Sequence, residues 1–208
     1  MKKEHIPVIV WLCSGCLLIF TMVIVGGITR LTGSGLSMVD WNLFMGAIPP
    51  MNHQQWLEAF EHYKQFPEFQ QKNYLFSLPE FKNIFFWEYI HRLLGRFIGL
   101  VFIIPFICFL IKKTLSKKLI LQCILLLIMG GAQGFIGWWM VKSGLVNNPD
   151  VSHFRLAIHL ITAFLTFAYT LWLMLSLIYP QKNYSNKKLY NLSLILLIVL
   201  IIQIVYGA

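Results

Sequence analysis

Four ionisable side chains fall inside one long apolar stretch of the chain, and they are the residues most able to do chemistry. Glu88, His91, Arg92 and Arg96 are surrounded there by leucine, isoleucine and phenylalanine. Charge at the centre of a membrane helix costs on the order of 3 kcal/mol per residue even on lenient scales, so such residues usually face a bundle interior and serve a function. A further histidine, His159, lies in another apolar stretch at a similar depth.

Two histidines at matched depth in a helical bundle suit the iron of a haem. A neutral imidazole from each of two facing helices can serve as an axial ligand. We therefore predict His91 and His159 as haem-iron ligands. Arginine pairs with carboxylate through parallel hydrogen bonds, so the arginines on the same side of the membrane are candidates for binding the haem propionates. These are Arg30, Arg92, Arg96 and Arg155.

Glu88 lies one helical turn from His91 on the same face. A carboxylate there can orient the ligand histidine, or act as acid or base on a group at the haem edge. The plainer alternative is an intrahelical ion pair with Arg92, four residues on. That pair alone would not explain the histidine between them.

The composition places the chain in a membrane. It is 58% hydrophobic and only 12% charged, whereas soluble proteins are about a quarter charged. Apolar runs at about 7–28, 82–111, 119–141, 153–179 and 189–208 are each long enough to cross a hydrocarbon layer of ~30 Å at ~1.5 Å per residue. We predict an all-α polytopic membrane helical bundle, with a four-helix haem-binding half and a fifth transmembrane helix.

The formal net charge of +9 is a topology signal. Lysines crowd alternate short segments, at 2–3, 112–118 and 182–188, and by the positive-inside rule these segments are cytoplasmic. The N-terminus is then cytoplasmic, and both histidines lie in the outer half of the membrane. Nucleic-acid binding is excluded, because the chain lacks a soluble basic face with helical or aromatic organisation.

Residues 29–81 form the one sizeable extramembrane segment, which we place on the outer side as an outer loop. A glycine-rich stretch at 26–37 leads into it, and glycine there ends a helix and permits close backbone approach. Trp56, Phe60 and Tyr63 then recur at helical spacing. That spacing predicts an interfacial helix anchored on the outer leaflet by its aromatic side chains, or a lid over a cofactor pocket; the two are compatible.

A weak internal echo relates the first two apolar runs to the next two. Gly26-Gly27 is followed by Ser34-Gly35-Leu36, and Gly130-Gly131 by Ser143-Gly144-Leu145. Each is then followed by a run with a deep histidine near an arginine. The echo indicates two related hairpins that meet around a pseudo-two-fold axis.

These motifs, in this order and spacing, resemble haem A synthase over essentially the whole chain. The resemblance rests on Gly26-Gly27-Ile28-Thr29-Arg30-Leu31-Thr32-Gly33-Ser34-Gly35-Leu36-Ser37, the Pro49-Pro50 loop with Trp56, Glu88-x-x-His91-Arg92-x-x-Gly95-Arg96, and Gly137-Trp138-Trp139-Met140-Val141-Lys142-Ser143-Gly144-Leu145. The most similar branch is the alphaproteobacterial and mitochondrial one. Residues 29–81 contain no cysteine, which excludes the branch with a cysteine pair in this loop.

The resemblance implies an oxidoreductase that converts the C8 methyl group of haem O to a formyl group, giving haem A for cytochrome c oxidase. It implies His91 and His159 as the haem ligands and Glu88 as the catalytic carboxylate. Residues 1–180 are then the N-terminal half, and residues 181–208 are the cytoplasmic loop and first helix of a second half. The ligands of a haem b are expected beyond Ala208.

The same resemblance implies the location and the partners of the protein. We expect the bacterial or mitochondrial inner membrane, with membrane lipid, haem O, haem O synthase and cytochrome oxidase assembly factors as partners, and self-association as a further possibility. Two other classes stay open from the residues alone. A b-type bis-histidine cytochrome would carry electrons only and would not need Glu88, while a packing unit or transporter fragment would hold its histidines incidentally.

Overall fold

The computed structural model describes residues 5–39, 48–146, 149–179 and 186–208. Within these ranges the regular structure is helical throughout: α1 (Ile6–Leu31), α2 (His53–Tyr63), α3 (Pro67–Gln71), α4 (Leu78–Ile111), α5 (Lys117–Gly144), α6 (His153–Ile178) and α7 (Lys187–Gly207). Helices α1, α4, α5, α6 and α7 are long and apolar enough to cross a membrane. This confirms the predicted polytopic helical bundle. Of the lysines used for topology, Lys2, Lys3 and Lys182 lie outside the described residues.

Helix α4 begins a turn before its apolar run because its N-terminus is capped. Glu80 Oε2 accepts hydrogen bonds from Ser77 N at 2.6 Å and from Ser77 Oγ at 2.7 Å. Pro79 lies in the first turn, where a helix needs no N–H donor. The helix therefore starts at Leu78, and the extra turn extends α4 at the end of the bundle that carries α2 and α3. We call this the outer end of the bundle and the opposite end the inner end.

Four of the long helices form a ring. Helix α1 packs extensively against both α4 and α6, and α5 packs against α6, whereas α4 and α5 touch each other much less. The fifth long helix, α7, packs against α6 and buries none of its residues. The bundle thus has one loosely packed seam, between α4 and α5.

The inner end of the bundle is closed by an apolar core to which α1, α4, α5 and α6 contribute. Its buried members are Val8, Trp11, Leu12, Phe106, Leu115, Leu119, Cys123, Leu126 and Leu173. Pro105 lies inside α4 and cannot donate to the carbonyl of Val101, four residues earlier. The indole Nε1 of Trp11 donates to that carbonyl instead, at 2.9 Å. This bond between α1 and α4 repairs the break in the helix ladder.

Helix α2 lies on α4 at the outer end. Phe60 and Tyr63 are buried in a cluster with Phe81 and Phe85 of α4, and the Trp56 ring meets the Phe85 ring at 5.0 Å. The predicted helix is present, but these aromatic side chains pack on protein. Helix α2 therefore covers the outer end of α4, and its aromatic side chains contact α4 and do not serve as lipid anchors.

Candidate functional site

His91 of α4 and His159 of α6 lie inside the four-helix ring. Both side chains are half-buried, and the two imidazoles are near enough to interact electrostatically. Nδ1 of His159 is buried without a hydrogen-bond partner among the described residues. Buried polar atoms are almost always paired. An unpaired buried nitrogen with a second imidazole nearby therefore indicates a site for a ligand.

Each histidine lies against a glycine of a neighbouring helix. A Cβ atom at Gly26 of α1 would lie 3.2 Å from His91 Nε2, and one at Gly137 of α5 would lie 3.3 Å from His159 Cε1. The same arrangement thus occurs twice. The internal echo paired Gly26-Gly27 with Gly130-Gly131, whereas the glycine of α5 that lies against a histidine is Gly137.

These features fit a haem. Imidazole nitrogen is a preferred axial ligand of haem iron, and glycine beside each ring leaves space that any other side chain would fill. His153, which we did not assign as a ligand, is exposed at the start of α6. The chain therefore offers a matched histidine pair for the iron and an unrelated histidine as a comparison.

Glu88 is buried, with 3% of its surface exposed, and both of its carboxylate oxygens are engaged. Oε1 pairs with Arg92 Nη2 at 2.5 Å. Oε2 accepts hydrogen bonds from Ser37 Oγ at 2.7 Å and from the backbone N–H of Met38 at 2.8 Å. The ion pair given above as the plainer alternative is present, and it is joined to a segment of the outer loop. The catalytic role of Glu88 stays a prediction.

The four arginines have different surroundings. Arg92 also donates to the carbonyl of Met38 at 2.8 Å. Arg155 donates to the carbonyl of Trp139 at 2.7 Å and stacks over the Trp139 ring at 4.4 Å. Arg30 is exposed in the last turn of α1, and Arg96 is half-buried one turn inward of Arg92. Each guanidinium has five N–H donors in a planar fork that matches a carboxylate. The propionate assignment stays a prediction.

Sequence reasoning missed two polar groups near this site. Ser37 lies in the glycine-rich stretch that was singled out, but nothing in its spacing relates it to Glu88, 51 positions later. Gln133 of α5 has a buried amide nitrogen without a hydrogen-bond partner among the described residues. It lies one turn inward of Gly137 on the same face, and an amide within an apolar run was the signal that could have identified it.

A second buried carboxyl lies in the outer loop. Glu68 of α3 is 6% exposed and accepts a hydrogen bond from Tyr63 Oη at 2.9 Å, while Asn73 donates to the same hydroxyl at 2.8 Å. Burial raises the pKa of Glu68 to about 7. Lys72 pairs with Asp150 at 2.5 Å and so ties this region to the segment before α6.

Comparison with known proteins gives a consistent result. A family model described as cytochrome oxidase assembly protein (COX15-CtaA) matches residues 9–208. Heme A synthase of Flavobacterium johnsoniae is 56% identical over 210 residues, which cover 100% of this chain and 62% of that protein. Heme A synthase of Flavobacterium psychrophilum is 57% identical over 207 residues, 99% of this chain and 61% of that protein.

More distant relatives carry the same name. Heme A synthase of Bradyrhizobium diazoefficiens is 48% identical over 198 residues, 95% of this chain and 55% of that protein. The chain thus spans about three fifths of the length of the two Flavobacterium relatives. No solved structure matches it. With its matched histidines in a membrane bundle and a family match over nearly its full length, the chain belongs to the COX15-CtaA family of cytochrome oxidase assembly proteins.

Proposed function

We propose that this chain is the haem O-binding part of a haem A synthase, an oxidoreductase that converts the C8 methyl group of haem O to a formyl group for cytochrome c oxidase. The observation that carries the proposal is the pair formed by His91 and His159. Each imidazole lies beside a glycine of a neighbouring helix, and Nδ1 of His159 is buried without a hydrogen-bond partner in the described part of the chain. The names of the relatives favour this activity over a cytochrome that only carries electrons.

The residues of this chain bind and orient the substrate. His91 and His159 would hold the iron from helices α4 and α6, and the iron would supply the redox chemistry when haem O is bound. Arg30 and Arg155 lie near the outer ends of α1 and α6, and Arg92 and Arg96 lie within α4; together they would supply positive charge for the propionates. Glu88 lies a turn outward of His91 and would be nearer the edge of the macrocycle than the iron.

The proposed orientation in the membrane rests on the charge pattern of the sequence. With the lysine-rich segments on the cytoplasmic side, the N-terminus is cytoplasmic and the histidine pair lies toward the outer face of a bacterial or mitochondrial inner membrane. A complete protein would carry a second half with a haem b. Haem O synthase and oxidase assembly factors would supply the substrate and receive the product, and surrounding lipid or a second copy would cover α7.

The test is ligand replacement in the complete protein reconstituted with haem O. His91→Ala and His159→Ala should each remove the low-spin bis-histidine absorption and electron paramagnetic resonance signals of the substrate haem, and haem A should no longer form. His153→Ala is the matched control and should leave both unchanged. A second haem is separated by comparing samples with and without added haem O. Retention of the substrate signal in both single variants would refute the assignment.

A further inference from the structure

A short segment of the outer loop is buried although it forms no regular helix. We call residues 34–38 the outer strap. Leu36 is 4% exposed and Ser37 is 2% exposed, and Ser34 is held to the end of α1 by a hydrogen bond from its N–H to the carbonyl of Thr29 at 2.9 Å. Irregular backbone usually lies on the surface. A buried strap must therefore be fixed by specific contacts.

One end of the outer strap is attached to α4. Ser37 Oγ and the Met38 N–H both donate to Glu88 Oε2, at 2.7 and 2.8 Å. Arg92 donates to the Met38 carbonyl at 2.8 Å and pairs with the other oxygen of Glu88. Both backbone polar groups of Met38 are thus satisfied by one ion pair on α4.

The outer strap is also attached to α5. The Leu36 side chain lies on Gly144, where an added Cβ would be only 2.7 Å from Leu36 Cδ1. A larger residue at Gly144 would require the Leu36 side chain to move. The strap therefore connects the outer ends of α4 and α5, the neighbours in the ring that touch each other least.

The contacts of Glu88 define what its carboxylate can do. Both oxygens point at Arg92 and at the outer strap. A group that exchanges protons with a substrate must come within hydrogen-bond reach of the reacting atoms. Glu88 contacts the outer strap instead, and its charge acts directly on the two groups that donate to it, the Ser37 hydroxyl and the Met38 N–H.

We propose that Glu88 is a positioning residue that locks the outer strap across the outer ends of α4 and α5 and so closes the haem site toward the outer face. This inference rests on the proposed function, since it concerns the role of Glu88 at that site. Closure excludes water from the site and fixes Arg92, whereas the carboxylate itself does not touch the reacting methyl group.

The first experiment measures the outer strap directly in the complete protein without added haem. Hydrogen–deuterium exchange of the peptide containing Met38 should be about tenfold faster or more in Glu88→Gln, because a hydrogen bond to a charged acceptor is replaced by one to a neutral amide. Ser37→Ala should accelerate exchange by a smaller factor. Glu80→Gln removes a charge from the same helix and should leave the strap unchanged. Equal exchange in Glu88→Gln and the unaltered protein would overturn the proposal.

The second experiment separates positioning from chemistry. Leu36→Cys with Gly144→Cys replaces the contact between the Leu36 side chain and Gly144 by two thiols, which can form a disulfide when their Cβ atoms lie about 3.5–4.5 Å apart. Haem O is added before the cross-link is closed by oxidation, and closure is verified by mass. In the Glu88→Gln background this cross-link should restore slow exchange of the strap and return haem A formation to within about threefold of the cross-linked protein with Glu88 intact.

Slow exchange without recovered haem A formation would show that Glu88 contributes to the chemistry, and the positioning role would be wrong. If the cross-link does not close, Ser37→Ala decides the question: lowered haem A formation alongside faster exchange supports positioning, and faster exchange at full activity contradicts it. The histidine replacements described above are read from iron spectra, so failure of the haem assignment is distinguishable from failure of the strap.

Discussion

The two helix pairs that hold His91 and His159 are alike at the histidines and unlike toward their outer ends. In both α1–α4 and α5–α6, a glycine of the first helix lies against a histidine of the second. Above His91, Glu88 and Arg92 form a buried ion pair that carries the outer strap. Above His159, Arg155 meets only a carbonyl and an aromatic ring of Trp139 among the contacts described.

The difference follows from the two connections. The segment between α1 and α4 runs from residue 32 to residue 77 and includes α2 and α3, whereas α5 and α6 are joined by residues 145–152. The connection between α5 and α6 is much shorter and leaves less backbone for a segment like the outer strap. A histidine against a glycine needs few other groups and occurs in both pairs, while the buried ion pair and the outer strap belong to the pair with the long loop.

The largest expected effect tests that asymmetry. Glu88→Ala leaves the Arg92 charge and the Met38 N–H buried without their acceptor, and breaking a buried ion pair costs about 3–5 kcal/mol. Arg155→Ala removes one hydrogen bond and a cation–π contact, worth about 1–2 kcal/mol. Thermal unfolding in detergent should show the larger loss for Glu88→Ala. Equal losses would mean that the two outer ends are energetically equivalent.

A smaller effect contrasts the two buried carboxyls of the outer side. Glu88 has Arg92 beside it, whereas Glu68 accepts from the neutral Tyr63 hydroxyl. Burial raises the pKa of Glu68 from 4.5 to about 7. The stabilisation from its protonated form is complete below pH 4.5 and is lost as the pH rises through about 7, a change of about 2–3 kcal/mol.

Unfolding measured between pH 5 and pH 8 should therefore show the outer loop weakening with rising pH. Glu68→Gln mimics the protonated carboxyl and should flatten that dependence. An unchanged pH profile in Glu68→Gln would assign the titration to a different group and remove the contrast with Glu88.

The smallest effect tests the likeness of the two pairs. Gly26→Ala and Gly137→Ala each push an imidazole by a few tenths of an ångström, and we expect each to weaken haem binding by about 1 kcal/mol, or about fivefold. Haem titration followed by absorbance measures this. Gly27→Ala and Gly131→Ala are matched controls, since an added Cβ meets nothing within 4 Å at either position. A loss at only one of the two sites would contradict a symmetric ligand cradle.

Much of the fold could be read from the sequence because a bilayer imposes a strict length on apolar helices. The five spans, the helix containing Trp56 and the inward placement of His91 and His159 follow from composition and helical periodicity. Hydropathy predicts that the second span starts at about residue 82, whereas α4 starts at Leu78, because hydropathy does not register the Ser77–Glu80 cap.

The contacts above the histidines could not be predicted in the same way. The bond between Ser37 and Glu88 joins residues 51 positions apart, and Leu36 meets Gly144 from a different part of the chain. Such contacts depend on how the helices are arranged and not on local pattern. The ion pair of Glu88 with Arg92 was visible from a spacing of four residues, but its attachment to the outer strap was not.

The bond from Trp11 to the carbonyl of Val101 also bears on how the protein is made. In hydrocarbon, a backbone carbonyl without a donor costs several kcal/mol, and Pro105 creates such a carbonyl in the middle of α4. Helix α1 precedes α4 in the chain, and N-terminal segments are synthesised first, so we expect the Trp11 indole to be in the bilayer before α4 is inserted. The donor for the Val101 carbonyl would then be present when α4 enters the membrane.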